Sequence, residues 1–186
     1  MVFENFKNKR SGRERLLFVS ALFGMLLGGL AALCIGEFPS AIELAGGYMH
    51  AFPAEYTFHS FSAALLYRFA PVLCLYLGGF GALCLLCGAG VLFFKGFLNA
   101  GGCLLLFRSC GHGEGFFFLF FLLCLIGLLD LAFYYSCSRL SLLFWEATRK
   151  RCSKKALKQY TLDLLFFTGL IFFFYLLQGC ITAMIV

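Results

Sequence analysis

The chain has 186 residues, of which 62% are hydrophobic, 19% aromatic and 13% charged. A soluble domain carries about half apolar and about a quarter charged residues, and a chain this short cannot hide so much apolar surface in its own core, which excludes a soluble fold. The net charge of +6 sits mostly in two stretches beside apolar runs, a signal of membrane topology rather than of nucleic-acid binding.

The class is therefore an all-α, polytopic membrane protein of the plasma membrane, with the lipid bilayer as its main partner. A β-barrel would alternate apolar and polar residues, and the run from Phe116 to Leu123 does not alternate. The whole chain reads as a single membrane domain, 1–186, with no soluble unit. Most of the ten cysteines fall inside apolar runs, where they act as small, soft hydrophobes. Cys84-x-x-Cys87 has redox or metal spacing, but no second pair or histidine stands near it, so helix packing is the plainer reading.

Residues 1–15 form a basic tail with Lys7, Lys9, Arg10, Arg13 and Arg15 against Glu4 and Glu14. An apolar run at 16–35 follows, about 20 residues and so the length of a spanning helix. It reads as a retained helix rather than a cleaved signal, whose apolar core is shorter. Gly24-x-x-x-Gly28 on it has the spacing that lets two membrane helices approach closely.

Residues 37–68 are different in kind. Glu37, Glu43, Glu55, His50 and His59 stand there with Pro39 and Pro53, no lysine, and only Arg68 at the end. Poverty in basic residues places the segment outside the membrane. Glu37, Glu43, Glu55 and His59 are the candidate partner surface. Residues 41–49 could form a short surface helix, and Ser60 could cap a helix that runs into the next span.

A glycine-rich second span is expected at 69–94. The stretch Phe93-Phe94-Lys95-Gly96-Phe97-Leu98-Asn99-Ala100-Gly101-Gly102 then reads as a corner, its lysine, asparagine and glycines marking a turn. Residues 96–107 form a third apolar piece of only about 12 residues, short for a span and typical of a tilted or re-entrant segment. Gly111, Gly113 and Gly115 mark a further turn, beside Cys110, His112 and Glu114. A Phe-rich span at 115–135 carries Asp130. Residues 139–158 form a basic loop, with Trp145 at headgroup level, and 162–186 form the last span, with Asp163 at its start, where a carboxylate suits a helix N-terminus.

Positive residues favour the cytoplasmic side. The tail at 1–15 and the loop at 139–158 then share one compartment, and an even number of crossings must separate them. The short piece at 96–107 has to count as a crossing. Five transmembrane helices result, the third one short, with the N-terminus cytoplasmic and the C-terminus extracytoplasmic. Lys95 falls at a cytoplasmic corner, and Asp130 about two turns from the cytoplasmic end of its span.

Asp130 is the costliest residue to insert, at a few kcal/mol on insertion scales. A cluster of Lys95, Asn99 and Asp130 would satisfy all three, either as a structural clamp or as part of an ion or proton relay. A relay needs a chain of such groups, which the other spans do not supply. No catalytic pair, phosphate-cradling loop or complete metal site stands in the sequence, so no catalytic, cofactor-binding or metal residues are expected.

The order of these parts is similar to that of one known family: a basic tail and first span, an outer segment ending in an amphipathic helix, a Gly-rich span, Phe94-Lys95-Gly96-Phe97, a short third span, the glycines at 111–115, a basic loop and a fifth span. It resembles the stage II sporulation protein M family of endospore-forming bacteria over nearly the whole chain. The family's fourth span often holds a Pro-x-Asn break where this chain reads Leu125-Ile126-Gly127-Leu128-Leu129-Asp130. The resemblance implies a non-enzymatic scaffold at the septal or engulfing membrane. It would recruit peptidoglycan hydrolase partners, the stage II sporulation proteins P and D. The competing reading is a small permease or an accessory subunit of a transporter, for which only the Lys95–Asn99–Asp130 group offers a midplane polar site.

Overall fold

The computed structural model describes residues 10–34, 69–109, 116–148 and 154–185. Among them every regular element is a helix: α1 at Arg10–Cys34, α2 at Phe69–Gly78, α3 at Cys84–Ser109, α4 at Phe116–Thr148 and α5 at Lys154–Ile185. Four of these contain segments long and apolar enough to cross a membrane, Gly12–Cys34, Cys84–Leu105, Phe120–Thr148 and Lys154–Phe174, whereas α2 is shorter. The described residues are thus all-helical apart from the turn at 79–83, and the chain is a multi-pass membrane protein.

The first helix has a narrow buried face and a broad exposed one. Leu17, Ala21, Gly24, Gly28 and Ala32 recur at helical spacing and are buried. Leu16, Phe18, Val19, Leu22, Phe23, Leu26 and Leu30 point outward. A soluble protein rarely leaves so continuous an apolar surface bare, but lipid receives it.

The buried face of α1 lies against α3, and the two helices run in the same direction. Gly24 meets Phe93, and four residues on in both helices Gly28 meets Phe97. The contact is backbone to backbone: a Cβ at Gly24 or Gly28 would overlap the Phe93 or Phe97 carbonyl. From the other side, a Cβ at Gly96 would stand 2.6 Å from the Ala21 carbonyl oxygen, and one at Gly101 would stand 3.2 Å from that of Gly28. Small residues thereby let two membrane helices touch along their main chains.

The remaining contacts give α4 antiparallel to α3, and α5 antiparallel to α4. Lys95 lies over Tyr134, Asn99 bonds Gly127, and the Phe107 and Phe120 rings are 5.0 Å apart. Phe144 stacks on Tyr160 at 4.1 Å, and Phe133 packs on Phe174 at 5.2 Å. Short α2 lies along α5, with Phe69 near Phe172 and Tyr76 stacked on Tyr160. The start of α1 and the end of α4 share one end of the bundle, where Arg13 pairs with Glu146 at 2.7 Å and Arg139 with Glu14 at 3.0 Å. Both arginines are about half exposed, 49% and 47%, so these pairs fix register more than they stabilise.

The reversal between α2 and α3 lies at 79–83, not at the expected corner. Residues 93–102 run through the middle of a continuous helix. The reason is what approaches each glycine: Gly96 and Gly101 face the α1 backbone, and inside a helix no backbone group is left without a partner in lipid. Where spans were expected at 69–94 and 96–107 stand α2 and the full-length α3, so among the described residues the short helix is the second and not the third. Lys95 lies mid-helix instead of at a membrane corner, and Asp130 lies in the middle of α4, far from its end. Two further boundaries move. Residues 139–148 continue α4 and 154–158 open α5, so the basic stretch is mostly helix. Trp145 packs partly buried against the core. Asp163 is not at a helix start; it accepts a 2.8 Å hydrogen bond from Gln159 Nε2 one turn earlier.

Gly28→Ala should cost about 1–3 kcal/mol, the usual cost of forcing a methyl group into a filled contact. Gly29→Ala, with open space around its Cβ position, should be neutral. Unfolding in detergent with a graded denaturant would measure both, and equal effects would contradict the backbone contact.

Candidate functional site

Three sequence-predicted residues, Lys95, Asn99 and Asp130, lie in one buried layer between α3 and α4. Lys95 and Asn99 are one turn apart on α3, and Gly127, Asp130 and Tyr134 follow at helical spacing on α4. The Lys95 ammonium stands 4.5 Å from the centroid of the Tyr134 ring. The Asn99 amide donates to the Gly127 carbonyl oxygen at 3.0 Å. Exposure is 1% for Lys95, 6% for Asn99 and 1% for Asp130. The layer is sealed, far from both ends of either helix.

Tyr134 is the member that sequence reasoning missed. It is wholly buried, and its ring face attracts the ammonium electrostatically, by up to about 2 kcal/mol or more where water is excluded. Its position one turn after Asp130 was the available signal. The same face of α4 continues with Ser138 and Ser141, both buried. Ser138 Oγ donates to the Tyr134 carbonyl oxygen at 2.8 Å, and a Cβ at Gly88 of α3 would meet Ser138 Cβ at 3.2 Å.

A second polar group, also unforeseen, closes the broken end of α2. Gly79 N–H donates to the Leu75 and Tyr76 carbonyls at 3.1 and 3.2 Å, and Phe80 and Gly81 continue the tightened turn. Ser141 Oγ donates to the Leu75 carbonyl at 2.9 Å. The Tyr160 hydroxyl lies 3.2 Å from the Leu75 and Tyr76 carbonyl oxygens and 3.1 Å from Ser141 Oγ. These carbonyls thus accept side-chain donors from α4 and α5 besides the Gly79 N–H, which ties the end of α2 to both helices. The Tyr160 ring is held between Tyr76, centroids 5.5 Å apart and 6° from parallel, and Phe144, at 4.1 Å and 5°. Gly79 is required here by space, since a Cβ would stand 2.5 Å from the Tyr160 hydroxyl oxygen.

Cys84 and Cys87 are free thiols in the first turn of α3, Cys84 buried and Cys87 half-buried. Among the described residues, no three of His, Cys, Asp and Glu come together as a metal site. Glu37, Glu43, Glu55 and His59 lie outside the described residues, as do His50, Cys110, His112, Glu114 and the helices expected at 41–49 and from Ser60. Comparison with family models, with curated proteins and with solved structures finds no match for this chain.

Two substitution sets test these groups. A direct pairing of Lys95 with Asp130, both buried, predicts that Lys95→Met and Asp130→Leu each destabilise the bundle by about 3–5 kcal/mol, the cost of stripping a buried charge of its partner, and that the double variant recovers most of the loss. Double-mutant analysis of unfolding in detergent reads the coupling, and additive losses would disprove it. Tyr160→Phe should cost about 0.5–1.5 kcal/mol, since the buried carbonyl oxygens lose one donor of several while the ring stack is kept. The same assay measures it, and an unchanged midpoint would show that the hydroxyl does not cap α2.

Proposed function

We propose that this protein is a non-enzymatic membrane scaffold resembling the stage II sporulation protein M family. Its task would be to recruit peptidoglycan hydrolases, proteins P and D of the same stage, to the septal or engulfing plasma membrane during endospore formation. In this reading the chain crosses five times, α2 belonging to the second crossing. The tail at 1–15 and the basic end formed by 139–158 face the cytoplasm, and the C-terminus lies outside. The segment at 37–68 faces the hydrolases.

The observation that carries the reading is the sealed layer around Lys95. A permease needs its midplane polar groups open to a passing solute by turns. Here the ammonium, the amide and the carboxyl group are all less than one-tenth exposed, and the ammonium is covered by Tyr134. That arrangement supports a clamp between α3 and α4, and a rigid bundle suits a docking platform. The common end of α1 and α4, fixed by the Arg13–Glu146 and Glu14–Arg139 pairs, supports one compartment for both basic stretches, with orientation set by the positive charge.

The experiment replaces residues 37–68 with a neutral linker of equal length. The protein should still insert, with a C-terminal reporter outside the cytoplasm, and should no longer capture P- and D-type hydrolases. Capture that persists would remove this segment as the contact. A reporter found in the cytoplasm would overturn the five-pass orientation.

A further inference from the structure

A groove opens on the lipid-facing side of the bundle, where α1 and α4 part beneath the Glu14–Arg139 ion pair. Glu14, Arg15, Phe18, Val19 and Tyr135 line it. It is a shallow, open depression of ≈ 510 Å³, a shape that suits a molecule lying along the surface rather than one enclosed in a cleft. On α1 the lining residues are stacked by helical spacing: the charges at 14 and 15 come first, and Phe18 and Val19 lie one turn further into the bilayer. On α4, Tyr135, also in the lining, lies one turn before Arg139 and so one turn further from the charged end.

The electrostatics are unequal across this rim. Arg139 Nε donates to Glu14 at 3.0 Å, yet the arginine side chain keeps 47% exposure. Arg15 is exposed and has no ion-pair partner among the described residues. Two arginines against one glutamate leave one net positive charge over an apolar floor. Guanidinium groups match phosphate geometry, and Phe18 and Val19 are 56% and 59% exposed.

We propose that this groove binds an anionic phospholipid, its phosphate on Arg15 and Arg139 and an acyl chain along Phe18 and Val19. The charge balance selects the headgroup class. A zwitterionic lipid brings its own cation to the rim, whereas an anionic one neutralises the excess arginine. The site extends the scaffold reading but does not depend on it; it requires only that the bundle lie in a bilayer.

The test uses the full chain in vesicles of equal parts phosphatidylglycerol and phosphatidylcholine. After solubilisation in mild detergent and gel filtration, mass spectrometry counts the lipid retained per protein. Phosphatidylglycerol should be retained in preference to phosphatidylcholine. Arg15→Gln should lower its retention about fivefold, the worth of one basic residue at an anionic surface. Val19→Trp, which fills the groove and leaves the charge alone, should lower it too. Lys154→Gln with Lys158→Gln, which removes exposed charge on α5, should leave retention as it was. Equal retention of the two lipids would overturn the proposal, as would unchanged retention in either groove variant. So would an equal loss in the lysine variant, which would mean diffuse surface charge, or displacement by excess glycerol phosphate, which would mean a free-phosphate site. Unchanged elution volume and helical circular dichroism confirm that each variant is folded. A loss of hydrolase capture would leave this result untouched.

Discussion

The contact from which the rest of the architecture follows is the one between the main chains of α1 and α3. Lipid gives two helices no hydrophobic reason to associate, so close van der Waals approach has to supply the attraction. Gly24 and Gly28 remove the side chains that would hold the helices apart, and the carbonyls of Phe93 and Phe97 take the vacated space. Once that face of α3 is committed, the others are fixed by the helical period. Lys95 follows Phe93 by two residues, which turns it about 200° away, and Asn99 sits below it. Both point to α4.

What α4 offers there is matched to what α3 sends. A lysine alone in the middle of a bilayer-spanning bundle would cost several kcal/mol. Asp130, the Tyr134 ring and the Gly127 carbonyl together make a polar layer in which ammonium, amide and carboxyl group coexist out of water. Exchanging such a layer for apolar side chains is often nearly neutral in stability. Its consequence is therefore register more than strength. Sliding α3 against α4 by one turn would take the Asn99 amide off the Gly127 carbonyl and the Lys95 ammonium off the Tyr134 ring, so these two contacts mark one alignment of the helices.

Much of this was legible in the sequence. The apolar runs announced membrane helices, the small-x-x-x-small spacing on α1 marked a real contact, and Lys95, Asn99 and Asp130, the polar residues singled out within the apolar runs, are all buried. The position of the reversal was not legible. The stretches 78–81 and 96–102 are both rich in glycine, and glycine in a membrane helix serves turns and close packing alike. Only the identity of the neighbour distinguishes the two uses: the α1 backbone at Gly96 and Gly101, the Tyr160 hydroxyl at Gly79. The residues that cap the broken α2 lie more than sixty positions further along the chain, and no local pattern links them to it. Parity needed just one reversal between 69 and 107, so the reasoning about which basic stretches share an end did not depend on where that reversal fell.

The capped end of α2 also bears on how the molecule behaves. A helix end can be a hinge when the outer lone pairs of its last carbonyls are met by water, which exchanges readily. Here they are met by Ser141 and Tyr160, side chains anchored on two different helices. The tyrosine ring that carries one of them is stacked on both faces, between Tyr76 and Phe144, with Phe80 edge-on to Tyr160 at 6.2 Å and to Phe144 at 5.3 Å. Moving α2 would require breaking the hydroxyl contacts and the stack together. The two polar groups of the bundle, one at its middle and one at its charged end, thus both act against relative motion of α2, α3, α4 and α5.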